Sequence, residues 1–93
     1  MARVVFTKHL ARYFPDLKDT SFAGTSVREL LTHIEAKHPG LAGYIVDDQG
    51  ALRKHVNIFI DGEPVGDRRE LEAPLGADTE VHILQALSGG SLD

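Results

Sequence analysis

The chain has 93 residues, enough for one domain with one modest core that buries roughly 60–70% of the unfolded surface. Its apolar fraction of 42% argues against disorder, and a formal charge of −4 with no basic block argues against nucleic acid as a partner. No apolar stretch approaches the roughly 20 residues that span a bilayer, and the absence of cysteine removes disulfides and thiol chemistry.

The N-terminal stretch "MARVVFTKH" is too short in its apolar run for a signal peptide, so a cytoplasmic, monomeric domain is expected. Val4, Val5 and Phe6 make residues 2–7 a first strand. In "HLARYFPDLKD", Pro15 and Asp16 mark a turn or loop. "TSFAG" suits a short second strand that buries Phe22 and ends at Gly24.

The clearest element is "TSVRELLTHIEAKHPG". Ser26 and Glu29 have the S-x-x-E spacing of a capping box, in which each side chain satisfies a free backbone N–H. Val27, Leu30, Leu31 and Ile34 recur at i, i+3, i+4 and i+7, which places them on one helical face. Lys37 and His38 suit the negative end of the helix dipole, and Pro39-Gly40 stops the helix. The helix therefore runs from residue 26 to 37 or 38.

Residues 41–46 suit a short helical turn, and Asp48-Gln49-Gly50 a tight turn. In "HVNIFIDGEPV", Val56, Ile58 and Ile60 alternate with Asn57, Phe59 and Asp61, the period of a strand with one buried face. Asp61-Gly62 is the strongest hairpin signal in the chain. The return strand at Glu63-Pro64-Val65 must be short or at an edge, because proline donates nothing to a ladder. Leu71 and Leu75 are expected to tuck inward from a polar connection. "EVHILQAL" is the last strand, with Val81 and Ile83 inward. "SGGSLD" has no means of packing and is expected to be mobile.

The order is strand, strand, helix, strand, short strand, strand. One helix and one sheet, each with a single apolar face, hide both faces by packing on each other, which gives an α+β domain. This order, ending in a strand that runs into Gly89-Gly90, resembles the ubiquitin-like β-grasp family, and more closely the small sulfur carriers of the MoaD/ThiS group. The residues that carry the resemblance are "GTSVRELLTHIEAKHPGL", "LRKHVNIFIDGEPV" and "ELEAPLGADTEVHILQALSGG". Val81-His82-Ile83-Leu84, Leu87 and Gly89-Gly90 also match the ending of ubiquitin in register. The fold implied is a mixed sheet of four to five strands on one main helix, with a single domain at residues 1–87 and a flexible tail at 88–93.

The resemblance implies a protein substrate rather than an enzyme. An activating enzyme joins the terminal glycine carboxylate to AMP from ATP. A sulfur donor enzyme then displaces AMP and leaves a thiocarboxylate, which an acceptor biosynthetic enzyme consumes. Gly90 would be the adenylated, sulfur-carrying residue, and Leu87, Ser88 and Gly89 the tail that reaches the partner's site. Glycine has no Cβ, so this pair makes a thin end for a narrow channel. The chain itself would bind no cofactor, since the partner supplies the ATP site.

This sequence departs from the family because Ser91-Leu92-Asp93 follow the glycines. The bond between Gly90 and Ser91 is therefore the expected processing site, and the family's JAMM-type peptidases are the expected agents. Alternation turns Phe59, His82 and Leu84 away from the inward set, and they match ubiquitin's docking positions. An exposed aromatic beside an exposed leucine is expected to form the partner-binding patch. Two other functions fit the same features: a non-covalent binding module whose glycines have no chemical role, and a modifier conjugated to lysines through Gly90.

The five histidines do not form a metal motif. His33 and His38 are five apart and point in different directions on a helix, while His9 and His55 are isolated, so no metal is expected. The acids Asp61, Glu63, Asp67, Glu70, Glu72, Asp78 and Glu80 suit a solvated face. "GTSVREL" lacks the Gly-Lys-Ser/Thr ending of a phosphate-binding loop. The pathway that receives the sulfur is written in the partners, and molybdopterin, thiamine, cysteine and related thio-metabolites all fit.

Overall fold

The computed structural model describes residues 1–85. Its elements are β1 (Ala2–Phe6), α1 (Lys8–Ala11), β2 (Thr20–Phe22), α2 (Val27–Lys37), α3 (Ala42–Ile45), β3 (Val56–Ile60), β4 (Glu63–Pro64) and β5 (Glu80–Gln85). The five strands form one mixed sheet in the order β2-β1-β5-β3-β4. The expected domain end at residue 87 and the tail at 88–93 lie outside the described residues.

β5 is the central strand. It runs parallel to β1, with Val4 opposite Val81 and Phe6 opposite Ile83. On its other side it runs antiparallel to β3, with Ile58 opposite Ile83 and Phe59 opposite His82. Ala2, Val4, Val56, Ile58, Val81 and Ile83 are the inward residues, all essentially inaccessible. α2 lays Val27, Leu30, Leu31 and Ile34 against them. Each such side chain gains roughly 1.5–3 kcal/mol over remaining exposed, so this layer is the main stabilising contact of the domain.

The start of α2 is secured from two directions. Ser26 Oγ accepts from Glu29 N–H at 3.2 Å, as the capping motif requires. The reciprocal arm lands one residue earlier than expected: Glu29 Oε1 accepts from the N–H of Thr25 at 2.7 Å and from its hydroxyl at 3.1 Å. The N–H groups of Val27 and Arg28 instead donate to the carbonyls of Ala73 and Leu71. Leu71 reaches that position with φ of 55°, in the left-handed region, while its side chain is fully buried. The Arg28 guanidinium then gathers the carbonyls of Gly50, Arg69 and Glu70. The polar connection before β5 is thereby fastened to the helix.

The exit of α2 is organised by Glu35, whose carboxylate accepts from Gly40 N–H at 2.8 Å and Ala42 N–H at 2.9 Å. That places α3 directly after the Pro39-Gly40 stop. Asp61 and Gly62 have φ of 50° and 89°, the positive pair a type I′ hairpin requires. Asp61 also ties the hairpin to β5: its N–H donates to Glu80 O and its Oδ1 accepts from Glu80 N–H. Pro64 sits in β4 at the sheet edge, where its missing donor has no cost. Pro15 and Asp16 lie in a turn, as expected, and before them stands a one-turn helix, α1, whose Leu10 is buried and seals that end of the core.

Candidate docking face and tail root

The side chains of β5 divide between two faces. Val81 and Ile83 point to the helix, and Glu80, His82 and Leu84 point the other way. The register then aligns neighbours across the outer face. His82 lies between Val5 on β1 and Phe59 on β3, and Phe59 is opposite Pro64 on β4. Leu84 lies opposite Asn57. The structure thus brings Phe59, His82 and Leu84 together on one face, beside the point where the chain leaves the sheet.

Their exposure is uneven. Leu84 is 41% exposed, while His82 and Phe59 are half-buried. The expectation that Phe59 is an exposed aromatic is therefore corrected: its neighbours on both sides, His82 and Pro64, flank the ring. Val5 and Pro64 complete the apolar row and were not singled out from sequence. Nothing local marks them, because their place in the row depends on the strand order.

The rim of this face is polar. Arg3 Nε stands 3.8 Å from Glu80 Oε2, with both side chains about half exposed, so solvent screens the pair and its contribution is small. His82 Nε2 lies 3.9 Å from the other Glu80 oxygen. Asn57 is fixed by Arg68, which donates to its Oδ1 at 3.0 Å and also to the carbonyls of Arg53 and Val56. These hydrogen bonds hold the rim of the face in place.

The titration shifts lie elsewhere and have structural causes. Glu29 is held below the ordinary carboxylate range by the Thr25 N–H and hydroxyl, and Glu35 by the N–H groups of Gly40 and Ala42. Asp47 is lowered by Ala51 and Gln49 N–H donors, and Asp67 chiefly by Glu70 N–H. Each carboxylate closes a turn or a cap. Among the described residues no group of three or more His, Asp or Glu side chains is placed to hold a metal ion.

Leu87, Ser88, Gly89, Gly90 and Ser91, on which the chemistry inferred from sequence depends, lie outside the described residues. The structure does describe the root from which they start. Beyond Leu84 on the outer face, Gln85 turns to the helix side and lines a cleft with Gly43, Tyr44, Arg53 and His55. Tyr44 stacks on Tyr13, with ring centroids 5.1 Å apart, and meets the edge of Phe14 at 5.6 Å. Sequence reasoning passed over this aromatic group, because each member lies in a segment too short to show a period.

The comparisons agree with this architecture. The model of the ThiS family matches residues 6–90. The sulfur carrier protein CysO of Mycobacterium tuberculosis is 28% identical over 75 residues, covering 78% of this chain and 81% of that protein. The fold superposes on the crystal structure of the Amycolatopsis orientalis BexX/CysO complex with a TM-score of 0.82 and 25% identity, covering 97% of this chain and 100% of the other. It is also similar to the small archaeal modifier protein 1 of Methanosarcina acetivorans, with a TM-score of 0.76 and 25% identity over 96% and 95% of the two chains.

Proposed function

The chain belongs to the ThiS family of small ubiquitin-like sulfur carriers, proteins that are not themselves enzymes, and from that membership we propose that it works through the carboxylate of Gly90. One observation carries the assignment to this residue. The family match runs to residue 90 and stops there, so Ser91, Leu92 and Asp93 fall beyond it. Hydrolysis of the Gly90–Ser91 bond, by a peptidase such as the JAMM type, frees the carboxylate.

A carboxylate is a poor electrophile, since its charge repels nucleophiles and oxide is a poor leaving group. An activating enzyme removes both obstacles. The Gly90 carboxylate attacks the α-phosphorus of ATP, pyrophosphate leaves, and the acyl-adenylate forms. Sulfide-level sulfur (HS⁻) from a donor enzyme then adds to the carbonyl carbon and AMP departs with the bonding electron pair, leaving the thiocarboxylate for an acceptor biosynthetic enzyme. All catalytic groups reside in these partners, as does the ATP site, and a cytoplasmic exchange is part of this reading. The chain contributes a docking face and a thin end. Val5, Phe59 and Leu84, with His82 among them, supply the centre of that face, and the complex that the CysO relative forms with BexX supports docking of such a carrier on a partner protein.

Mass spectrometry of the protein from its native host tests the proposal. The expected species lacks residues 91–93 and exchanges one oxygen for sulfur. A chain that stays full length under every growth condition overturns it. A second reading is favoured by the likeness to an archaeal modifier protein: conjugation of Gly90 to lysines. It requires the same trimming but yields isopeptide-linked species of higher mass. If Gly90→Ala leaves function intact, both covalent readings fall and a non-covalent module remains.

A further inference from the structure

The pairing of β1 with β2 ends at Val4 opposite Thr20, so the β2-side edge of β1 is open from Val5 onward. One ladder donor on that edge is already taken: Phe6 N–H donates to Asp19 Oδ1 at 3.2 Å. The open edge borders a cleft of about 460 Å³. Val5, Phe6, Ala11 and Leu17 line it, with Lys8, Lys18 and Asp19 also in its wall. The walls are anchored. Leu10 N–H donates to Thr7 O at 3.1 Å, which sets α1 against the end of β1, and Leu17 N–H donates to Phe14 O at 2.8 Å. The Phe6 ring meets Phe22 edge-on, with centroids 6.3 Å apart.

Two features say what fits this cleft. The first is continuity. Val5 belongs both to the lining and to the row that runs through His82 and Phe59 to Pro64, so the cleft extends the outer face of the sheet. The second is charge. Lys8 and Lys18 are exposed, and among the described residues neither forms an ion pair. Asp19, the acid in the lining, already accepts from Phe6 N–H. This stands against a net charge of −4 for the whole chain. Acids gather at the other end of the strands, where Asp61 is bonded to Glu80 and Glu63 begins β4. Lys8 stands at the end where β5 leaves the sheet, because β1 and β5 are parallel and Thr7 N–H donates to Ile83 O. One end of the sheet is therefore negative and the other positive.

An apolar lining favours an apolar occupant, and two lysines at its wall favour carboxylates beside that occupant. We propose that the protein docking on the outer face plants an apolar side chain in this cleft and flanks it with carboxylates that meet Lys8 and Lys18. The proposal rests on the reading of the outer face as the docking surface and adds the chemistry of the partner's side. It also sets orientation. The partner carries its acidic patch at the end where β5 leaves the sheet, and a partner turned end for end brings like charges together.

The probe is the activating enzyme of the same host, without nucleotide, with binding to the full chain read by calorimetry and by stopped-flow kinetics across a salt series. The double variant Lys8→Glu, Lys18→Glu changes two exposed side chains outside the core, so melting temperature should hold. It should weaken binding at least about tenfold at low salt, mainly through slower association, and the difference should shrink as salt rises. Ala11→Leu fills the cleft and keeps both charges, so it should weaken binding about fivefold at every salt concentration. Unchanged or tighter binding by the double variant, with Leu84→Asp weakened, overturns the cleft proposal and leaves the outer face standing. A wild-type chain that does not bind the enzyme at all overturns both.

Discussion

Gly24 shows how one backbone position constrains the fold. Its φ is 145°, and a Cβ placed there would stand 2.9 Å from the backbone N and Cα of the fully buried Leu30. The clash is with main chain, which cannot swing aside. Gly24→Ala is expected to lose roughly 2–4 kcal/mol of stability in urea denaturation. Gly66→Ala, where a Cβ meets nothing within 4 Å, is the control and should change stability little. Equal behaviour of the two variants would refute the packing argument. The shifted carboxylates make a second prediction. Glu29, Glu35, Asp47 and Asp67 all have lowered values in the folded chain. Their contribution is therefore fully present above the unfolded values, about 3.9 for Asp and 4.3 for Glu, and is lost as pH falls through the lower folded ones. Melting temperature should drop across that acid window. Glu29→Gln keeps an acceptor for Thr25 but does not titrate, so its drop should be shallower. An identical pH profile for the variant would rule out Glu29 as a contributor.

At the level of elements, α2 is held by more than its cap. Ser26 serves only the Glu29 N–H, while loop carbonyls serve Val27 and Arg28. Ser26→Ala should therefore cost about 1 kcal/mol and Ser26→Thr much less, as read from denaturation midpoints. A loss several times larger would mean that the cap also positions the loop at 66–79. The cap, the i/i+3/i+4 stripe, the alternation in β3 and the Asp61-Gly62 turn were legible because each is a local pattern with a local cause. α1 was not, because four residues carry no measurable period and its Leu10 becomes apolar anchor only once the sheet exists. The left-handed Leu71 was not legible either. Nothing in its neighbours calls for a positive φ; the demand comes from the N–H of Arg28, 43 positions earlier in the chain.

At the scale of the molecule, the strand order decides which residues meet. Val5 joins His82 and Phe59 only because β1 lies beside β5, a contact between the two ends of the chain that no turn signal announces. Half of the proposed docking face was visible as outward-pointing residues in β3 and β5, and the other half required the fold. The face can be tested through its most exposed member. Leu84→Asp removes apolar surface without opening the core, so melting temperature should hold. The kcat/KM for adenylation by the activating enzyme should fall at least about tenfold, equivalent to about 1.4 kcal/mol. An unchanged kcat/KM would move the interface away from this face.

The central place of β5 has a mechanical side. The strand that leads into the tail is hydrogen-bonded along both edges, and its neighbour β1 is the first strand of the chain, running in the same direction. A pull between the far end of β5 and the N-terminus therefore drags two parallel strands past each other. Every rung between them is loaded at once, and none can be opened ahead of the rest. A force applied beyond Gln85 would therefore load β5 in shear, a geometry that resists until many bonds yield together.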